Sequence, residues 1–293
     1  AACAAKSETM RHLVALVSCT MLVCAAAARS TASDGVGIVE VANGFTWAEN
    51  IRCDTQTDAL FVSEYRRGQL YKITNNGGYN STVHVGTPEW DLFAGLAIHD
   101  ATGVLYAVAR ETSTKDCWII SVDKVLPNRT TKVAKLPKLA NGLAISQKTG
   151  NLWATAEGDF IPFEGALYSI DPSTGTVTTR LSDSFADDGA YINQHTQVLI
   201  MSEVIDSRVL QIDLDTDDVL QDVRAPSAVG MLDDFTLSQN GTLLYGADYE
   251  HGNVVVFPVD GHTGSKATIL ASQFKNPTSA RWGCGGGFPE TSL

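Results

Sequence analysis

Basic clusters, long apolar runs and reactive motifs are all scarce in this 293-residue chain. Lys and Arg number 21 against 33 Asp and Glu, a formal charge of −12, and no Lys/Arg cluster appears, which disfavours nucleic-acid and anionic-membrane partners. No Cys-x-x-Cys pair occurs, so the usual zinc spacings are absent. No Gly-x-Ser-x-Gly elbow supports a Ser-His-Asp triad. The apolar stretch Leu13 to Ala28 falls short of the roughly 20 residues that span a bilayer, and no convincing amphipathic helical period interrupts the chain. At 44% hydrophobic and 18% charged, the composition is that of a folded globular protein with enough apolar material for a large core.

What is present is a repeat. A short apolar strand preceded by a variable residue recurs at Glu49, Ala94, Asn141, Asp188, Asp233 and Thr278, with steps of 45, 47, 47, 45 and 45. In letters the register reads Ala94-Gly-Leu-Ala-Ile, Asn141-Gly-Leu-Ala-Ile, Asp188-Gly-Ala-Tyr-Ile and Asp233-Asp-Phe-Thr-Leu. A period near 45 residues is that of a β-propeller, one four-stranded blade per repeat around a central channel. Second strands follow at Leu60, Leu105, Leu152, Leu199 and Leu244, third strands at Gln69, Trp118, Ala166, Val209 and Val254, with turn formers such as Thr149-Gly150-Asn151 between. The expected fold is an all-β, six-bladed propeller. Only the innermost strand of the sixth blade, Thr278 to Trp282, is visible, and Gly37 to Ala42 is placed to supply its outermost strand. The two middle strands are therefore expected to be missing, as in a C-terminally truncated chain with an incomplete last blade.

The N-terminal region reads as processing sequence. Residues 1–9 precede Met10 and read as an upstream non-native segment. Residues 10–33, with Arg11, His12, the apolar run and small residues Ala25 to Ala28, read as a secretory signal peptide, leaving 34–293 as one secreted propeller domain, expected to be monomeric. Sequons at Asn80, Asn128 and Asn240 suit a secreted glycoprotein, each expected in a turn or loop. The mature chain keeps Cys53, Cys117 and Cys284, which permits at most one internal disulfide; Cys53 and Cys284 fall at the ends of the first and last innermost strands, so a ring-closing bridge between them is one pairing open to it.

Innermost strands run along the channel, so the six repeat positions form a ring, and four carry oxygen side chains: Glu49, Asn141, Asp188 and Asp233. No His occupies a ring position. Hard cations such as Ca²⁺ prefer carboxylate and amide oxygens, whereas His and Cys would point to zinc. Three carboxylates converging on one point would raise one another's pKa unless a cation intervened. The bland alternative is a set of carboxylates paired inside a hydrated channel. Asp234 should alternate away from Asp233 and take a supporting role.

These letters resemble a known family. Ala48-Glu49, Asn141-Gly-Leu-Ala-Ile-Ser with Asn151-Leu-Trp-Ala-Thr-Ala, Gly165-Ala-Leu-Tyr-Ser-Ile-Asp-Pro, Asp233-Asp-Phe-Thr-Leu and Asn276-Pro-Thr-Ser, spanning about residues 40 to 285, resemble the senescence-marker protein, gluconolactonase and luciferin-regenerating enzyme family, related to diisopropyl fluorophosphatase and paraoxonase. The resemblance implies a divalent cation, commonly calcium, held by a Glu of the first blade, Asn residues of the third and often the fourth, and an Asp of the fifth, which match Glu49, Asn141, Asp188 and Asp233. Asp188 departs from the Asn usual in the fluorophosphatase branch, and Asp187 beside it leaves the alignment open by one residue. The implied activity is metal-dependent hydrolysis of a lactone or related ester, with Asp233, or else Asp188, as general base.

Trp47, Phe93 and Tyr191 are candidate substrate walls, with Trp90, Phe160 and Phe163 as further aromatics near the mouth. His84, His99, His195, His251 and His262 fall on outer strands or turns, against a paraoxonase-type His pair. Glu64, Arg66 and Arg67 read as a solvated turn cluster. The alternative function is a non-catalytic secreted binding propeller with a structural calcium site. A strictosidine-synthase-like reading would want a catalytic Glu late in the chain, where only Glu290 stands.

Overall fold

Short apolar strands and tight turns alternate through the chain, and each strand folds back on the one before it. The computed structural model describes residues 41–75, 78–157, 164–184, 187–205, 207–259 and 266–284, and the backbone alone of 15–18, 21–24 and 39–40. Among the described residues there is no helix long and apolar enough to cross a membrane. The first three strands are β1 (Ala15–Ser18), β2 (Met21–Cys24) and β3 (Val39–Asn43).

Five blades follow, each a consecutive stretch of chain folded into four antiparallel strands. The first holds β4 (Ala48–Asp54), β5 (Ala59–Glu64), β6 (Gln69–Asn75) and β7 (Tyr79–Val85). The second holds β8 (Trp90–Ile98), β9 (Leu105–Glu111), β10 (Cys117–Val122) and β11 (Thr130–Leu136). The third holds β12 (Ala140–Ile145), β13 (Leu152–Ala156), β14 (Gly165–Asp171) and β15 (Thr176–Ser184). The fourth holds β16 (Asp187–Asn193), β17 (Val198–Glu203), β18 (Arg208–Asp213) and β19 (Val219–Arg224). The fifth holds β20 (Leu232–Leu237), β21 (Leu243–Asp248), β22 (Asn253–Pro258) and β23 (Thr268–Ala271).

Turn chemistry sets the period. Between the first and second strand of each blade one residue takes a left-handed φ, namely Asp58, Gly103, Gly150, Gln197 and Gly241, which closes the hairpin tightly. Burial follows position in the blade. Innermost strands β12 and β20 are buried along their whole length, whereas β7, β15 and β19 turn most residues to solvent. Apolar clusters lie between facing sheets: Leu92, Val108, Ile119, Leu143, Leu152 and Tyr168 join the second blade to the third, and Ile200, Val209, Phe235, Leu244 and Phe257 join the fourth to the fifth.

The last sheet corrects the sequence-based expectation. The sixth repeat contributes only β24 (Pro277–Arg281), as expected, and β3 is the outer strand, also as expected. The sheet is nevertheless not short of strands, because its order is β24-β1-β2-β3. β1 pairs with β24 from Ala15 opposite Arg281, and β2 pairs with β3 from Cys24 opposite Val39. The physical reason is edge satisfaction: β24 and β3 each present a row of unpaired backbone groups, and part of the apolar N-terminal run occupies them. Only these two pieces of the leader-like segment are described; the expected cleavage region and residues 1–9 lie outside the described residues. The innermost strands pack in cyclic order β4, β8, β12, β16, β20, β24 and back to β4, enclosing the channel.

Cys53, at the end of β4, is bonded to Cys284, just past β24, with Cα atoms 5.7 Å apart and a sequence separation of 231. Cys117 is free and buried; burial raises its thiol to about 11, which makes it a packing residue. Asn128 and Asn240 are exposed in turns, while Asn80 is exposed on the outer strand β7 rather than in a loop. A bridge that closes so long a loop removes much of the unfolded chain's freedom. Cys53→Ser is therefore expected to lower stability by about 2–5 kcal/mol, read as a lower midpoint in calorimetry or guanidinium titration; an unchanged midpoint would show that blade packing alone holds the ends together.

Candidate metal centre in the channel

The ring positions share a backbone irregularity. Register breaks at Ala48/Ile51, Phe93/Leu96, Ala140/Leu143, Asp187/Ala190 and Leu232/Phe235, so in each of five innermost strands the ring residue and its successor drop out of the ladder. Such a break re-aims a side chain that regular pleating would send between the blades. The glycine after the ring residue has a steric cause: a Cβ at Gly142 would fall on the Asp188 carbonyl oxygen and 2.5 Å from Thr155 Oγ1. Innermost strands of neighbouring blades approach too closely there for a side chain.

A hydroxyl fourteen residues after the ring position pairs the freed backbone groups. The Gly142 amide donates to Thr155 Oγ1 (3.0 Å), and that hydroxyl donates to the Asp188 carbonyl of the next blade. Gly189 N donates to Ser202 Oγ (2.9 Å), which donates to the Asp233 carbonyl (2.9 Å). In the first blade, Asn50 N donates to Ser63 Oγ (2.9 Å). One side chain thus pairs the break in its own blade and tethers the ring residue of the next.

These devices bring the distant residues together. One carboxylate oxygen from each of Glu49, Asp188 and Asp233 lies within 4.8 Å of the others, and all three residues are buried. Asn141 joins them: its Nδ2 donates to Glu49 Oε1 (3.0 Å) and to Glu157 Oε1. Burial is the first cause of a raised pKa at each carboxylate. Glu49 is pushed up to about 8, with Glu157 adding repulsion and the Asn141 hydrogen bond opposing. Asp188 is raised well above its ordinary value by burial, then Glu157 and Glu49, and Asp233 by burial, then Asp188 and Glu49. Asp233 Oδ1 is buried without a hydrogen-bond partner. Carboxylate and amide oxygens, with no imidazole or thiolate among them, form a donor set for a hard divalent cation.

The remaining ring-site expectations resolve individually. Asp187 is not a ring oxygen: its Oδ2 accepts from Ser184 Oγ (2.5 Å), and burial pushes its carboxyl up to about 8. Asp234 has the supporting role expected, accepting from Asn50 Nδ2 (2.5 Å), Ser279 Oγ (2.8 Å) and Arg281 Nη2 (2.6 Å). Neither the outer-strand His84 nor the turn residues His99, His195 and His251 line the cavity over the ring, and His262 lies outside the described residues.

The wall residues need correction. A cavity of about 270 Å³ opens over the ring, lined by Trp47, Tyr65, Arg66, Glu157, Val204, Met231 and Tyr249 together with the four ring residues. Trp47 is in place. Phe93 is not: it is fully buried with Trp90 in apolar packing between the first and second blades. Tyr191 lines the other end of the channel, because three extended residues past Asp188 carry the strand about 10 Å deeper. Phe160 and Phe163 lie outside the described residues. Glu64, expected in solvent, is buried and accepts from the amides of Thr46 (2.7 Å) and Trp47 (3.3 Å). Arg66 is likewise no idle surface charge, stacking 3.9 Å over the Trp47 ring.

All but Met231 of the lining residues missed by the sequence reading obey a rule. Tyr65, Glu157, Val204 and Tyr249 each stand sixteen positions after a ring residue, where the antiparallel second strand returns to the mouth. A chemical signal lay in Glu157, the one acid in that set.

The profile of the SMP-30/Gluconolactonase/LRE-like region matches residues 42–285. The chain belongs to this family. No curated protein matches the chain. Among solved structures, a chain of the crystal structure of a nidogen/laminin complex superposes with a TM-score of 0.71 over 92% of this chain and 97% of that one, at 9% identity, a likeness that shows the fold alone. Membership of the SMP-30/gluconolactonase family thus joins a lactonase-like propeller to an acidic ring assembled from four blades.

Thr155→Val keeps the shape and deletes the tether, leaving the Gly142 amide and Asp188 carbonyl unpaired. It is expected to cost about 1–3 kcal/mol and to weaken cation binding in isothermal titration. Full retention of both would mean that the hydroxyl bridge does not hold Asp188 in place.

Proposed function

We propose that this protein is a secreted, metal-dependent hydrolase of lactones or related esters, with Glu49, Asn141, Asp188 and Asp233 holding a divalent cation, Ca²⁺ by the character of the donors. The observation carrying this reading is the convergence of three buried carboxylates within 4.8 Å of one another, with Asp233 Oδ1 unpartnered. Such a group is costly without a cation and ordinary with one. When bound, the cation supplies Lewis-acid polarisation of the ester carbonyl.

The chain's own residues supply the rest. Trp47 and Tyr249, with ring centroids 6.4 Å apart, form an apolar wall beside the ring, and Tyr65 and Met231 extend it. Substrate seated there displaces water from the carboxylates, which strengthens every electrostatic contact beneath it. Asp233 is the general base: a carboxylate that holds the cation through one oxygen keeps a second that can accept the proton of the attacking water. Asn141 is held by Glu49 and Glu157 through its amide nitrogen, which leaves Oδ1 as its ligating atom. On this reading the composite sheet that closes the ring serves as a sixth blade.

Elemental analysis of the purified protein is expected to give one divalent cation per chain. Glu49→Gln and Asp233→Asn are each expected to abolish its binding and lower lactone kcat/KM about 10²-fold or more. Stoichiometric cation and thermal stabilisation without turnover of a lactone panel would leave a binding propeller with a structural cation instead, and absence of the cation would remove both.

Protons compete for the same oxygens. Because the folded ring carboxylates have raised pKa values, Glu49 to about 8, their contribution to the stability of the metal-free protein is present below the ordinary carboxylate range and is lost as pH rises toward 8. Ca²⁺ affinity is expected to move oppositely, rising from pH 5 to 8 as ligands deprotonate. Affinity flat across that window would place the binding elsewhere.

Secretion is supported by the 231-residue disulfide closure and three exposed sequons. Cleavage near residues 29–34 would remove β1 and β2 from the closing sheet, so the N-terminal sequence of protein from a secreting host distinguishes the two roles of this segment. A mature start in that window is expected; retention of residues 15–24 would refute the leader.

A further inference from the structure

The channel has a second end with the opposite charge. Below the acidic ring, Asp234 accepts four hydrogen bonds, from Asn50 Nδ2 (2.5 Å), Ser279 Oγ (2.8 Å), Arg281 Nη2 (2.6 Å) and its neighbour's amide at Phe235 (2.9 Å). That set saturates a carboxylate, and Arg281 balances its charge. Arg52 stands beside them with its Nη1 3.9 Å from Asp234 Oδ2, and its hydrogen bonds go to neutral acceptors: Asn50 Oδ1 (2.7 Å), Ile51 O (2.8 Å) and Leu143 O (3.1 Å). Two guanidiniums thus share one carboxylate, leaving one positive charge over.

Both guanidiniums line a cavity of about 260 Å³ at this end, with Tyr191, Gln194 and Trp282 among its walls and Asp100 exposed at its edge. Arg281 is 6% exposed, and its Nε, a donor that cannot be deprotonated away, is buried with no hydrogen-bond partner. Its guanidinium carbon lies 6.0 Å from the Tyr191 ring centre. Burial and the nearby Arg281 charge lower the Arg52 pKa to about 9, which leaves its guanidinium charged at neutral pH. Two guanidiniums beside one cavity, with a single saturated carboxylate between them, call for an anionic partner.

We propose that this end of the channel binds a small oxyanion, carboxylate or phosphate, between Arg52 and Arg281, as a site separate from the acidic ring. Planar guanidinium forks match such oxygens in pairs, and a single negative charge neutralises the surplus.

The test is isothermal titration of cation-depleted, full-length protein with sodium acetate and, separately, sodium phosphate at ionic strength held constant with chloride. Saturable binding at one site per chain is expected in at least one arm, and whichever arm saturates identifies the preferred oxyanion. Glu49→Gln is expected to retain it, since the ring is not involved. Arg52→Gln is expected to weaken it at least tenfold. Should that variant fail to fold, Thr236→Asp, which places a carboxylate on the cavity wall, supplies the missing charge from within and is expected to abolish binding. No saturable binding in either arm, or wild-type binding in both Thr236→Asp and any folded Arg52→Gln, would overturn the proposal.

Discussion

Close approach of the innermost strands is the constraint on which the channel depends. At Gly142 and Gly189 the backbone of one blade meets the carbonyl of the next blade's ring residue, and the hydroxyls of Thr155 and Ser202 bridge the gap. Asp188 and Asp233, two of the ring acids, are positioned by that contact. The break in register turns the ring side chain inward, the glycine admits the next strand, and the hydroxyl pairs the backbone groups that the break has freed. Energetically this is a trade between local ladder hydrogen bonds and a rigid convergence of acids that no single hairpin could hold.

Charge in the channel is layered. Glu49, Asp188, Asp233 and Glu157 crowd one end, where burial and repulsion from their neighbours raise the pKa values of Glu49, Asp188 and Asp233. Arg52 and Arg281 occupy the other, with Asp234 between. Asp234 is the electrostatic hinge of this arrangement: it repels the ring above and attracts the guanidiniums below. A cation above and an anion below would each reduce the local imbalance, and the long axis of the channel keeps the two from cancelling one another directly.

Closure of the ring rests on parts of the chain far apart in sequence. The disulfide ties the first innermost strand to the last, and β24 meets β1 on one side and β4 in the ring. A propeller tolerates such assembly because each blade packs only on its neighbours, so the final sheet needs strands of suitable register rather than strands from one contiguous repeat. At this seam too a hydroxyl crosses between blades, but from the ring position itself: Thr278 Oγ1 donates to the Ala48 carbonyl (2.8 Å).

Strand periodicity, turn residues and the 45-to-47-residue spacing were enough by themselves to determine an all-β propeller and to place Glu49, Asn141, Asp188 and Asp233 at equivalent positions, because each blade is a local unit whose pattern is written in consecutive residues. The supporting role of Asp234 was legible for the same reason. Tertiary structure alone decided which side chains share a cavity. Phe93 and Tyr191 lie close in sequence to ring positions but point between blades or emerge at the far end, whereas Tyr65, Glu157 and Tyr249 reach the mouth from the returning strand. It also decided the filling of the closing sheet by β1 and β2, and the pairing of Arg52 with Arg281. Those outcomes depend on the direction of each strand relative to the channel and on contacts between distant blades, neither of which a linear period encodes.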